Sequence, residues 1–135
     1  MEYSVLAEMA KEAMTMAYAP YSDYYVGAAL LTKEGRVYTG CNIENSAYSP
    51  TNCAERTAFF KAVSEGERDF EAIAVVGGYK GKIEGIFPPC GVCRQVMTEF
   101  CRADEFDVIL VRKDGYDVKK LCELLPFGFD KDYMR

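Results

Sequence analysis

Apolar residues at Val5, Leu6, Met9, Ala13 and Met16 recur near the spacing of one helical face. They predict a helix over residues 3–17, stopped by Ala19-Pro20-Tyr21-Ser22. Two apolar stretches follow, residues 26–32 (VGAALLT) and 36–43 (RVYTGCNI), and Lys33-Glu34-Gly35 between them predicts a hairpin. Residues 44–51 (ENSAYSPT) are rich in turn formers and read as a loop. The pattern is helical again from Cys53 to about Glu65, with Gly66 as its stop. Beyond it lie a buried strand at 70–78, a loop at 86–90 (IFPPC), and a second helix from Gly91 to about Arg102. A strand at 106–112 and a short strand or turn at 116–121 lead into a tail at 124–135. Alternating strands and helices predict a single α/β layered domain over 1–135, with a mixed sheet because the first two strands form a hairpin. No internal repeat, low-complexity tract or linker divides the chain.

With 135 residues, half of them apolar, the chain is long enough to build a core without covalent staples. The net charge of −5, with acids and bases interspersed, argues against a general binder of nucleic acid polymers or anionic membranes. The N-terminus is amphipathic and partly acidic, with no basic leader and no long apolar run, so the cytoplasm is the expected location. Six cysteines are too few for a disulfide scaffold and read as thiols in a reducing compartment. Histidine is absent. That excludes an imidazole base in the isolated chain, and any metal site must draw on Cys, Asp or Glu.

Three cysteines occupy helix starts: Cys53 at the start of one predicted helix, Cys90 and Cys93 at the start of the other. Cys-x-x-Cys lets both sulfurs face a single ion, and the partial positive charge of a helix N-terminus favours the thiolate that binds zinc. Three sulfurs leave a tetrahedral position open, as in a catalytic zinc site. The same spacing also fits a thioredoxin-like redox pair, and free cysteines also serve as small buried hydrophobes. Cys41, Cys101 and Cys122 fit that last description. Glu55 in the first turn of a helix is by itself a dipole-stabilising residue. Beside a zinc ligand at Cys53 it would instead stand near the open position and carry protons. Arg56 by itself reads as a solvated helix arginine. Three thiolates give a zinc site net negative charge, however, and a guanidinium near the sulfurs would withdraw some of it.

The run NCAER (52–56) followed by PPCGVCRQ (88–95) resembles the zinc-dependent cytidine deaminases, in the all-cysteine version that agrees with the missing histidine. The likeness spans nearly the full length, through PYSDYYVGAAL, GCNIENSAYSPTNCAERTA, PPCGVCRQ and LLPFGF in order. It implies a three-layer α/β fold with a mixed five-stranded sheet flanked by helices. It also implies one Zn2+ per subunit on Cys53, Cys90 and Cys93, with Glu55 as proton shuttle and Arg56 compensating charge at the zinc site. Asn42 and Glu44 would hydrogen-bond the ribose, and the Ala54 backbone would contact the pyrimidine. An aromatic after PYS packs against the base in the family. That position is Tyr24 here, where the family commonly has Phe, and Tyr25 replaces a common Pro. Phe129 matches an aromatic that reaches a neighbouring subunit's site, which implies a homotetramer.

The activity implied is hydrolytic deamination of cytidine and 2′-deoxycytidine to the uridine products and ammonia, a pyrimidine-salvage reaction. Water activated on zinc attacks C4 and Glu55 moves the protons. Blasticidin-S deaminase, or a deaminase of modified cytosine nucleosides, is the alternative within the fold, and Arg56 directly after Glu55 weighs against it. Deaminases of polynucleotides need a basic channel that this acidic chain does not suggest. A non-catalytic zinc-binding module would close its metal with a fourth ligand, and a thiol–disulfide oxidoreductase would need only Cys90 and Cys93.

Overall fold

The computed structural model describes residues 1–134, so Arg135 at the end of the expected tail lies outside the described residues. Five strands, β1 (Tyr24–Thr32), β2 (Val37–Cys41), β3 (Phe70–Tyr79), β4 (Asp107–Arg112) and β5 (Gly115–Lys120), form one sheet in the order β2-β1-β3-β4-β5. β1 pairs antiparallel with both β2 and β3, β3 parallel with β4, and β4 antiparallel with β5. The expected mixed sheet is therefore present, and its one parallel pair is joined by a helical crossover, as parallel neighbours require. Among the described residues, no helix is long and apolar enough to cross a membrane.

Strand alternation sorts side chains onto two faces. Val26, Ala28 and Leu30 of β1, with Ile73, Val75, Val108 and Leu110, face one core. Ala29, Leu31, Ala74, Val76, Ile109 and Val111 face the other. Helix α1 (Tyr3–Met14) covers the second face with Leu6, Ala7, Ala10 and Met14. Helices α2 (Ala54–Ser64) and α3 (Gly91–Phe100) cover the first, so the architecture is a three-layer α/β/α sandwich. Phe59 of α2 centres that side, 5.1 Å from the ring of Phe70 and 6.0 Å from those of Phe100 and Phe106. Aromatic burial of this kind supplies the main driving force, about 25 cal/mol per Å² of apolar area.

Two glycines let the helices approach the sheet. A Cβ on Gly27 would lie 2.1 Å from the Ala10 carbonyl oxygen of α1, and one on Gly40 would lie 2.5 Å from the Ala54 carbonyl oxygen of α2. Gly40 therefore sets how closely the first turn of α2 sits on β2. Gly66, at φ 100, ends α2 where the pattern predicts. The tail carries more structure than its pattern suggests: α4 (Leu121–Leu124) buries Leu121, and a 3-10 turn spans Lys131–Tyr133. A four-residue helix is too short to show a period in sequence. Cys122 is exposed, contrary to its reading as a small buried hydrophobe, because α4 turns Leu121 inward instead.

Candidate active site

The first helical turns of α2 and α3 meet, and this brings the three cysteines together. Cys53 is the residue preceding α2, with extended backbone (φ −76, ψ 157) and a side chain that makes no capping bond to the helix. Its carbonyl accepts from the Thr57 N–H at 3.0 Å, so the helix start is held by backbone and the sulfur is not engaged in capping it. Cys90 precedes α3 and accepts from the Cys93 N–H at 3.4 Å. The Sγ atoms of Cys53, Cys90 and Cys93 all lie within 4.8 Å of one another, with Cys53 to Cys90 at 3.9 Å and Cys90 to Cys93 at 3.4 Å. Three sulfurs on one tetrahedral zinc at about 2.3 Å each would stand about 3.8 Å apart, so the donor set and spacing fit a soft four-coordinate ion with one position open. Among the described residues, these three are the one group of Cys, Asp and Glu side chains placed to hold a metal.

Charge around the trio is organised by Arg56 and Glu55. The Arg56 guanidinium donates to Cys53 Sγ at 3.3 Å. Donation from Cys93 and then from Arg56 holds the Cys53 thiol down at about 5, against the opposing effect of burial. Cys93 shifts up, because it keeps its proton to donate a hydrogen bond to Cys53 and is buried beside it. Glu55 is 3% exposed, and that burial, with the neighbouring Cys53 charge as a smaller contribution, pushes its carboxyl up to about 7. A buried acid poised near neutrality beside a metal-competent trio is the arrangement expected of a proton carrier.

A cleft of about 210 Å³ opens over this floor, with Cys53, Ala54, Glu55 and Cys90 at its base and Tyr24, Asn42, Glu44 and Phe87 around its wall. Asp23 takes a left-handed turn (φ 63) that starts β1 with Tyr24 on the cleft side. Tyr24 meets Tyr79 edge-on at 5.4 Å and lies tilted to Phe87 at 6.1 Å. Tyr25 points to the opposite face of the sheet and packs in the α1 core, so of the two tyrosines only Tyr24 lines the cleft. Asn42 is bonded to the chain at both ends of its amide, accepting from the Val26 N–H at 2.9 Å and donating to the Tyr24 carbonyl at 2.7 Å. Glu44 accepts from the Tyr21 N–H at 2.9 Å, the Ser22 N–H at 3.1 Å and the Ser22 hydroxyl. Burial pushes the Glu44 carboxyl up, but these three donors outweigh it and hold it below the usual carboxylate range.

Glu44, Ser22 and Thr51 also border a second cleft of about 370 Å³ beneath the Tyr21–Tyr48 pair, whose rings stand edge to face at 6.3 Å. A larger cleft of about 480 Å³ around Arg68, Phe100 and Arg102 shares no residue with the cysteine trio. Size alone does not mark the reactive site. Phe129 is the one expected site residue that the structure leaves apart. It is exposed, stacks on Tyr133 at 5.4 Å and is absent from the cleft wall of its own chain. Ser22 and Phe87 line the cleft without having been singled out in the sequence. Arg94 and Gln95, directly after Cys93, hold chain segments around the site through the bonds described below.

Residues 1–108 match the zinc-binding region of cytidine and deoxycytidylate deaminases. The chain belongs to the cytidine and deoxycytidylate deaminase family. Within it, the cytidine deaminase of Sporosarcina psychrophila is 49% identical over 132 residues, covering 98% of this chain and 94% of that protein. The crystal structure of cytidine deaminase from Burkholderia pseudomallei superposes with a TM-score of 0.88 at 46% identity, covering 96% of this chain and 100% of that one. A more distant relative is the blasticidin-S deaminase of Bacillus cereus, 34% identical over 132 residues, or 94% of this chain and 91% of that protein.

Proposed function

We propose that the protein is a zinc-dependent cytidine deaminase. It hydrolyses the exocyclic C4–N bond of free cytidine and 2′-deoxycytidine, releasing uridine or 2′-deoxyuridine and ammonia, in cytoplasmic pyrimidine salvage. The observation that carries this reading is the buried Glu55 carboxyl beside three converging sulfurs at the floor of a cleft. Cys53, Cys90 and Cys93 would hold one zinc ion per subunit. When bound, zinc supplies the Lewis acidity that makes a water nucleophilic near neutral pH.

Glu55 performs the proton transfers: its carboxylate accepts one proton from water and delivers it to N3 of the ring, and once the water oxygen is bonded to C4 it carries the remaining hydroxyl proton to the amine nitrogen as the C4–N bond breaks. One group suffices because donation and acceptance alternate. Arg56, bonded to Cys53, draws negative charge from the sulfurs. Tyr24 offers its ring to the base, with Tyr79 and Phe87 packed against it. The Ala54 backbone faces the pyrimidine, while Asn42 and Glu44 meet the sugar. Both polar side chains are fixed in advance by bonds to β1 and the 21–22 turn, which lowers the cost of ordering them on binding. Neither the 210 Å³ cleft nor the 370 Å³ cleft beside it has Lys or Arg among its described lining residues. That supports a free nucleoside over a phosphorylated or polymeric substrate. Phe129, exposed and outside its own cleft, supports a homotetramer in which it completes a neighbour's site.

The test is turnover of cytidine by zinc-loaded protein under reducing conditions, followed by ultraviolet absorbance and ammonia release. Uridine and ammonia in equal amounts are expected. Conversion of blasticidin S without conversion of cytidine would move the assignment to that antibiotic. A folded, zinc-loaded protein that converts neither would overturn the enzymatic reading.

A further inference from the structure

Arg94 lies in the first turn of α3, immediately after Cys93, and its guanidinium fork reaches two carbonyls that belong to different parts of the chain. Nε donates to the Pro89 carbonyl at 2.7 Å, and Nη1 donates to the Leu124 carbonyl at 2.5 Å. The Pro89 carbonyl belongs to the peptide unit entering Cys90. Because the ring of Pro89 fixes its own φ, a bond at that oxygen leaves the peptide plane before Cys90 little freedom. The direction of the Cys90 Cα–Cβ bond, and with it the sulfur, follows from that plane. The backbone of the same turn adds to the restraint, since the Arg94 N–H bonds the Cys90 carbonyl at 3.0 Å and the Cys93 N–H bonds the Cys90 sulfur at 3.4 Å.

The second carbonyl ends α4. Leu124 is its last residue, and terminal helix carbonyls lack intrahelical partners and attract cations. The segment leaving it is LLPFGF. The next residue on α3 holds the far end of that segment, for Gln95 Nε2 donates to the Phe129 carbonyl at 2.7 Å. Neighbouring side chains on one helical turn thus grip residues 124 and 129, and one of them also grips the approach to Cys90.

We propose that Arg94 is a positioning residue that couples the Cys90 sulfur to the C-terminal aromatic segment, so that metal retention and substrate binding depend on one guanidinium. A lysine cannot reproduce this, because its single ammonium lacks the planar fork that addresses two carbonyls in fixed directions. The inference rests on the reading of Cys90 as a zinc ligand. Removal of groups that orient a ligand typically costs about 10–100-fold in metal affinity or activity.

The test uses the full chain as zinc-loaded wild type, R94Q, R94K and R102Q, the last altering a surface arginine paired with Asp104 and Glu105. Zinc transfer to a chromophoric chelator, KM and kcat for cytidine, and the thermal midpoint are recorded for each. R94Q is expected to release zinc about 10-fold faster and to raise KM, R94K to fall between it and wild type, and R102Q to match wild type. Wild-type zinc release and KM in R94Q overturn the proposal, whatever happens to the thermal midpoint. Should R94Q fail to fold, wild-type zinc release and KM in R94K overturn it. A wild-type chain that holds no zinc at all would instead strike at the metal reading on which the proposal rests.

Discussion

Glu55 shows why neither a residue's type nor its position in a helix defines its role. A glutamate in the first turn of a helix normally stays in water and interacts weakly with the dipole, at about 0.3–1 kcal/mol. Here the side chain is 3% exposed and its carboxyl is pushed up to about 7, mainly by burial. Burying an acid is unfavourable, and acids whose pKa is raised in this way cluster at functional sites, in keeping with the proposed role of Glu55 in proton transfer. Glu55→Gln keeps the volume and removes the titrating oxygen. It should retain zinc, as measured by metal analysis, and lose at least about 10²–10⁴-fold in kcat. Near-wild-type turnover would remove Glu55 from the reaction. The cysteine trio and Glu55 were legible in the sequence because each stands within a turn of a helix start, where local spacing dictates direction. Arg94 was not, because its partners are supplied by Leu124 and by the peptide before Cys90, and no local pattern tells where a chain returns 30 residues later. Asn42 stands in the sequence near the end of the second predicted strand, and the family resemblance gives it a hydrogen bond to the ribose. The structure shows that it also ties Val26 and Tyr24 together, which explains its 8% exposure.

At the scale of elements, the site exists because two helices begin at one place. α2 follows the β1–β2 hairpin and α3 crosses between the parallel strands β3 and β4, so both first turns converge above the sheet. The periodicities predicted these elements well, since each helix or strand buries one face against a neighbour. β1 is longer at its start than its pattern suggests. Its first residues pair with Tyr79 and Gly78, and this pairing sends Tyr24 to the cleft and Tyr25 to the α1 core. The depth of α2 on the sheet depends on Gly40, whose missing side chain admits the Ala54 carbonyl. Gly40→Ala would place a methyl 2.5 Å from that oxygen and 2.6 Å from the Ala58 nitrogen, both backbone atoms that cannot swing away. The variant should lose about 1–3 kcal/mol in chemical denaturation. The displaced first turn of α2 should also weaken zinc binding. Unchanged stability would show that α2 can move outward at no cost.

At the scale of the molecule, the sandwich joins a rigid interior to a partly open site. Both cores are built from strand and helix faces with little polar intrusion, while Tyr21, Tyr48, Phe127 and Phe129 remain exposed around the cleft and the tail. Exposed aromatics in such number suit contact with further copies of the chain, in keeping with the proposed tetramer. The tail was the least legible region. α4 is shorter than a helical period can reveal, and besides Glu123 capping its start at the Lys120 N–H it is held by Arg94 of α3 at the Leu124 carbonyl. The central claim is that the three sulfurs hold a zinc ion with which Glu55 works on a cytosine ring. The most direct measurement is a titration of metal-free protein with zinc while cytidine turnover is recorded. The account predicts no activity without metal, a linear rise, and a plateau at one zinc per subunit. Turnover that is independent of zinc, or a filled site that never yields uridine, would contradict it.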